Sequence, residues 1–233
     1  YCVVSIFVNP AQFGPGEDYK KYPRTQKLDL ALCAKEKVDA VFMPDAKRMY
    51  PRGYGTYVSV EGSSDELCGA FRPGHFRGVA TVVTKLLHIV QPDKSYFGQK
   101  DAQQAVIIRK MTQDLNMPVR VIVMPTVRLQ DGLAMSSRNR YLNPEERKQA
   151  AVLYASLNSA RQMIKRGEED VSRIIRLMKD AIRQAPRAKI EYVRIVDAAS
   201  LKPVQRIRGR CLIALAVRIG STRLIDNLLI RKT

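Results

Sequence analysis

Strand-like and helix-like segments alternate through the first half of this 233-residue chain, and no other feature restricts its fold as tightly. Tyr1-Cys2-Val3-Val4-Ser5-Ile6-Phe7-Val8 reads as a buried strand, rich in β-branched and aromatic residues, that ends at Asn9-Pro10. A helical stretch over 26–37 follows, then a strand over 38–43 closed by Pro44. Past a loop rich in Tyr, Gly and Pro, a further strand is expected over 56–60. Val79, Val82, Val83, Leu86, Leu87 and Val90 fall on the i, i+3, i+4 spacing of an amphipathic helix that Pro92 ends. A short strand over 95–97 leads into Gly98, and Ile107, Ile108, Met111 and Leu115 mark one face of a helix over 102–115. A buried strand over 119–124 is stopped by Pro125. This repetition predicts a parallel sheet covered by helices. A parallel-type strand at residue 1 has no neighbour yet, so preceding sequence is expected.

The pattern changes after Pro125. Asn143-Pro144-Glu145-Glu146 is a helix start, with Asn at N-cap, Pro at N1 and Glu at N3. That helix is expected to run to about Gly167, and a second to cover 171–185. Strands over 190–196, 211–217 and 222–229 follow, the last two joined by a hairpin at Gly220-Ser221. The expected fold class is therefore α/β: a parallel-sheet domain over 1–126, then a smaller α+β domain with an antiparallel sheet over 127–233.

No apolar run approaches the roughly 20 residues that span a bilayer. The four cysteines, at 2, 33, 68 and 211, have no C-x-x-C spacing, which argues against a zinc site or a disulfide framework. Cys2 and Cys211 lie in apolar strand patterns and are expected to be buried thiols, as suits a reducing cytoplasm. The formal net charge of +18 would attract anions. Its basic residues are spread along the chain and alternate with acids, as in Glu145-Glu146-Arg147-Lys148, without a basic tail, an aromatic–glycine motif or a Cys/His finger. Nucleic-acid binding is therefore not expected as the main function.

Three segments have the composition of a phosphate or small-acid site. Phe97-Gly98-Gln99-Lys100-Asp101 places a glycine, a cation and an acid able to cap the next helix at a strand end, where α/β sheets bind ligands. The alternative is a surface turn with an Asp N-cap. In Asp131-Gly132-Leu133-Ala134-Met135-Ser136-Ser137-Arg138-Asn139-Arg140, a flexible glycine leads into hydroxyls and arginines suited to charge developing on pyrophosphate. Its spacing resembles the K-M-S-K-S loop of class I aminoacyl-tRNA synthetases and related nucleotidyltransferases; the alternative is a polar interdomain loop. Asn9-Pro10-Ala11-Gln12-Phe13-Gly14, with Gln104 one turn past Asp101, offers amides to a small substrate without adding charge. His88, between core positions of its helix, is read as structural or solvent-facing. His75 lies in a Gly-rich basic loop, Arg72 to Gly78, but no acid stands at triad spacing.

Together these segments resemble the pantoate–β-alanine ligase (pantothenate synthetase) family. The likeness rests on Ser5 to Pro10 with Gln12-Phe13-Gly14, Tyr22-Pro23-Arg24-Thr25, Arg72 to Val79, Gly98 to Asp101 with Gln103-Gln104, Asp131 to Arg140, and Ile219 to Asn227. It spans essentially the whole chain, in the family's order. The resemblance implies a Rossmann-like nucleotidyltransferase-type domain with a lid domain, usually in a cytoplasmic homodimer. It implies that ATP and pantoate, with Mg2+, give pantoyl adenylate and pyrophosphate, and that β-alanine then yields pantothenate and AMP. By position it assigns Gly98, Gln99, Lys100, Asp101, Val127, Met135, Ser136, Ser137 and Arg138 to ATP, and Gln12 and Gln104 to pantoate, Gln12 also near β-alanine. Lys100, Ser136, Ser137 and Arg138 would stabilise phosphate charge, and Asn9, Tyr22 and His75 rank second for substrate binding. The magnesium ligands are not assigned.

The family's early P-T-M-G and H-x-G-H segment, which carries its catalytic histidine, has no match here. A polypeptide beginning at Tyr1 is expected to show little or no ligase activity. Gln99 stands where many members have Glu, and Ala102 where many have an aromatic; neither removes an identifiable phosphate contact. Competing readings are another nucleotidyltransferase, such as a cytidylyltransferase, which would share the phosphate loop but not the Gln12 and Gln104 pair, and a non-catalytic nucleotide- or nucleic-acid-binding module.

Overall fold

The computed structural model describes residues 1–232. Its first half alternates as expected: β1 (Val3–Ser5), α1 (Gln26–Lys35), β2 (Ala40–Phe42), α2 (Ala46–Met49), α3 (Cys68–Phe71), α4 (His75–Val90), β3 (Lys94–Gly98), α5 (Ala102–Asp114) and β4 (Arg120–Met124). β1 pairs with β2 and β3 with β4, both in parallel. The 56–60 segment is extended but belongs to no sheet; instead the Val58 amide donates to Thr81 Oγ1 on α4 at 3.0 Å. β1 and β4 are half-buried to exposed rather than buried, each lying in a two-stranded sheet. Cys2, expected inside, is exposed, as is Leu115, which forms the C-cap of α5 rather than extending its core face.

The second half contains α6 (Pro144–Gln149), α7 (Val152–Lys165), α8 (Val171–Arg183), β5 (Ala188–Asp197), β6 (Gly209–Ile219) and β7 (Thr222–Lys232). Asn143 forms a full capping box with Glu146 at N3. The single helix expected to Gly167 is broken at Ala150–Ala151, so α6 and α7 are separate. β5, β6 and β7 form an antiparallel sheet in that order, and the Gly220-Ser221 hairpin joins Ile219 to its partner Thr222. Gly220 sits at φ +57°, a conformation that a side chain would strain.

The two halves share β6. Side chains on a strand alternate between faces. Leu212, Ala214 and Ala216 point into a core with Phe76, Val79 and Val83 of α4 and Ile107, Ile108 and Met111 of α5. Cys211, Ile213, Leu215, Val217 and Ile219 point the other way, onto Leu153 and Leu157 of α7 and Ile174, Met178 and Ile182 of α8. Burial on both faces explains why β6 is a continuous apolar run where a one-sided sheet would alternate with polar residues.

Helix α4 reaches the loop after β1 through Gly78, where an added Cβ would lie 2.2 Å from the Ala11 carbonyl oxygen. Gly98 has open space around the same position, and its φ of −82° suits any residue. Gly78→Ala is expected to cost about 3 kcal/mol, because backbone must shift, and Gly98→Ala to stay within about 0.5 kcal/mol. Urea denaturation of the pair measures the contrast.

Candidate functional site

The carboxyl ends of β1 and β3 open into two short 3-10 turns, Pro10–Gln12 and Gln99–Asp101. A cavity of about 280 Å3 lies beside them, lined from the first half by Asn9, Gln12, Tyr22, His75, Lys100, Asp101 and Gln104. The second half adds Ser136 and Arg138 to its walls, together with Tyr192, Arg223 and Asn227. Residues far apart in sequence thus face one space at the strand ends, the usual ligand position in α/β sheets.

Asn9 is 3% exposed and fully used. Its Oδ1 accepts from the Ala11 amide and from Tyr50 OH at 2.7 Å, and its Nδ2 donates to the Gly78 carbonyl at 3.0 Å and to Gln12 Oε1 at 3.1 Å. Because Gln12 Oε1 accepts that hydrogen bond, the Gln12 amide offers its NH2 group to the cavity. The asparagine therefore orients Gln12 more than it offers itself. Gln104 lines the cavity without a hydrogen bond to another described residue. Its neighbour Gln103 is buried and spans the 63–68 loop, donating to the Ser63 and Glu66 carbonyls and accepting from the Cys68 amide.

The 98–101 loop is held from the opposite half. Asn227 Nδ2 donates to the carbonyls of Gln99 and Lys100, both at 2.9 Å, while Gln99 Nε2 donates to Asn227 Oδ1 at 3.0 Å. Next to it, the carboxylate of Asp226, 1% exposed, takes a two-pronged contact from Arg128 at 2.6 and 2.9 Å. Lys100 Nζ stands 3.6 Å from Asp101 Oδ1. Asp101 stands at the N-cap of α5, but the capping bond expected of its side chain does not form.

Ser136 caps the 3-10 turn Ser137–Tyr141, accepting from the Arg138 amide at 3.3 Å. Ser137 Oγ donates to Tyr22 OH at 3.0 Å, and the Arg138 guanidinium lies 5.4 Å from the Tyr22 ring centre. Arg138 also grips both oxygens of Asp18, each at 2.8 Å. Burial alone would raise the Asp18 carboxyl; the bonds and charge of Arg138 outweigh it and hold the pKa below the usual value. Val127 and Met135 are exposed outside the cavity, joined by the Met135 amide to the Val127 carbonyl at 2.9 Å. Gly98, Gln99 and Ser137 likewise do not line the cavity.

His75 has both ring nitrogens engaged. Nδ1 lies 2.8 Å from the Gln12 carbonyl, to which only a protonated nitrogen can donate, so Nε2 is left to accept from Arg72 at 3.0 Å. Arg72 is itself bound to both oxygens of Glu17. Burial first, and the Arg72 charge second, push the His75 pKa down to about 4. His75 is thus a neutral support for the Gln12 loop. His88 is exposed, with Nδ1 2.9 Å from its own helix's Thr84 carbonyl, in line with its structural reading.

Sequence reasoning gave no role to Asn227, Asp226, Arg128, Arg72 or Arg223. A usable signal was present: Asp226-Asn227 interrupts the apolar run from Leu224 to Ile230, and a buried polar pair of this kind needs partners. Among the described residues no cluster of three or more His, Cys, Asp or Glu could hold a metal. A magnesium ion that accompanies a triphosphate would take its ligands mainly from phosphate and water. A depressed histidine pKa contributes stability above the unfolded value of 6.5 that is lost as pH falls toward about 4. His75→Gln should remove about 1–3 kcal/mol of this pH dependence over that window, read by denaturation at stepped pH.

A family model described as pantoate-beta-alanine ligase matches residues 1–229. The chain is 56% identical over 230 residues to the pantothenate synthetase of Acetivibrio thermocellus, covering 99% of this chain and 82% of that relative. It is 55% identical to that of Moorella thermoacetica, covering 98% and 81%. The solved pantothenate synthetase of Thermus thermophilus superposes with a TM-score of 0.94 at 47% identity, over 97% of this chain and 82% of that one. The pantoate-beta-alanine ligase of Francisella tularensis, solved in complex with beta-gamma ATP and beta-alanine, superposes at 0.76 with 34% identity, over 97% and 78%. With a model matched along nearly its whole length and relatives more than half identical, the chain belongs to the pantoate–β-alanine ligase family.

Proposed function

We propose that the cavity between the two halves is where ATP and pantoate form pantoyl adenylate, and where β-alanine then displaces AMP to give pantothenate. A pantoate carboxylate oxygen attacks the α-phosphorus, the bond to the β-phosphate bridge breaks, and pyrophosphate leaves. The β-alanine amine next attacks the acyl carbon, the bond to AMP breaks, and the amine proton is released. No protein nucleophile is needed; the enzyme aligns the reactants and neutralises the departing phosphates.

The observation that carries this reading is the meeting of Gln12, Gln104, Lys100, Ser136 and Arg138 on one cavity. Two neutral amides suit a hydroxy acid, and the cations and hydroxyl suit a triphosphate. In this reading Gln12 and Gln104 hold pantoate, and Lys100, Ser136, Ser137 and Arg138 stabilise phosphate charge. Gly98, Gln99, Asp101, Val127 and Met135 complete the nucleotide site, with the exposed apolar rim at 127 and 135 facing the base. A triphosphate would compete with Asp18 for Arg138. Asn9, Tyr22 and His75 act by holding Gln12, Ser137 and the Gln12 carbonyl respectively.

The same reading takes 1–126 as the nucleotide domain and 127 onward as a lid, magnesium as the escort of ATP, and a cytoplasmic homodimer as the working form. Among the described residues no helix is long and apolar enough to cross a membrane. The Francisella complex with beta-gamma ATP and beta-alanine supports the two ligands.

Exchange of labelled pyrophosphate into ATP tests it. The full-length protein should exchange only when pantoate is present. Lys100→Met should lower the rate about 100-fold or more, while Gln12→Ala should mainly raise the pantoate concentration required. ATP binding without pantoate-dependent exchange would remove the ligase reading.

A further inference from the structure

The cations on the cavity wall are not equally neutralised. Arg72 holds both oxygens of Glu17, and Arg138 both oxygens of Asp18. Lys100, near Asp101, is assigned above to the triphosphate. Arg223 differs. Its Nε donates to Glu191 Oε2 at 2.8 Å, but the other oxygen of that carboxylate is taken by Arg218 Nε at 3.0 Å. Two guanidinium groups therefore share one carboxylate, Arg218 from the exposed side and Arg223 from the cavity side, so that neither takes both of its oxygens.

Arg223 is also short of hydrogen-bond acceptors. Its Nη2 reaches only the Cys68 sulfur, a weak acceptor at 3.7 Å, and its Nη1 has no partner among the described residues. The side chain is 17% exposed, so bulk water does little to compensate. A guanidinium with unsatisfied N–H donors on the wall of a substrate cavity fits one kind of ligand group, a carboxylate able to take two parallel N–H donors.

We propose that Arg223 binds the carboxylate of β-alanine and so selects a carboxylate-bearing amine for the second half-reaction. This rests on the ligase reading above. Of the reactants, pantoate gives up its carboxylate charge on adenylation and ATP has its own cations at Lys100 and Arg138. β-Alanine keeps its carboxylate throughout and has no other assigned counter-charge. Glu191 acts as the positioning residue, clamping Nε so that the remaining donors face the cavity, while Tyr192 OH, 3.0 Å from Cys68 Sγ, supports the floor beside them. An amine of similar length without a carboxylate would leave those donors unpaired and would be disfavoured.

The test separates the two half-reactions in the full-length protein. Arg223→Met should raise the KM for β-alanine about 10- to 100-fold, as expected for loss of a hydrogen-bonded charge pair, while pantoate-dependent pyrophosphate exchange, which needs no β-alanine, continues. The preference for β-alanine over propylamine should fall by the same factor, and Arg223→Lys should lie between wild type and Met. An unchanged β-alanine KM, an unchanged preference over propylamine, or loss of exchange in both variants would overturn the proposal. Absence of pantoate-dependent exchange in the wild type would instead sink the ligase reading itself.

Discussion

Strand β6 is buried on both faces, and the cavity exists in its present form because of that. Its even-numbered side chains are small or slender, Leu212, Ala214 and Ala216, and let α4 and α5 approach from one side. Its odd-numbered ones hold α7 and α8 on the other. Fully burying each large apolar side chain is worth about 1.5–3 kcal/mol, so the strand ties the parallel-stranded half to the antiparallel one through two apolar layers. Polar residues on the neighbouring strand then arrive at fixed places: Asn227 on the Gln99 and Lys100 carbonyls, and Asp226 on Arg128.

The polar groups that line the cavity are mostly committed to one another. Asn9 is saturated, His75 is kept neutral between a carbonyl and an arginine, and Arg72 is matched to its own carboxylate. Such pairing stiffens the walls and keeps the two amides and the loop hydroxyls at set positions. Against that background the free NH2 of Gln12, the unbonded Gln104 amide and the shared-carboxylate Arg223 stand out as groups that need a ligand.

Much of this was legible in the sequence. The amphipathic spacing of α4, the box opening α6 and the Gly220-Ser221 hairpin are local signals, set by a few adjacent side chains, and each appears in the structure. The loops at 9–14, 98–101 and 131–140 were readable as candidate site segments from their residue types, and the structure brings residues of all three to one cavity. What was hidden depends on distant partners. The 56–60 segment has strand-like composition, but its donor finds Thr81 on a helix instead of a neighbouring strand. Cys2 and Leu115 carry apolar patterns to places that no other element covers. The grip of Asn227 on the 99–100 backbone spans more than a hundred residues and could be suspected only from a polar pair inside the apolar run 224–230.

The account stands or falls on an acyl adenylate formed in this cavity. The most direct measurement uses pantoate labelled with 18O in its carboxylate and follows the label through one complete turnover of the full-length protein. Attack on the α-phosphorus followed by aminolysis must leave one labelled oxygen in AMP. Label recovered in inorganic phosphate or pyrophosphate, with none in AMP, would contradict the account and point to activation at a different phosphorus.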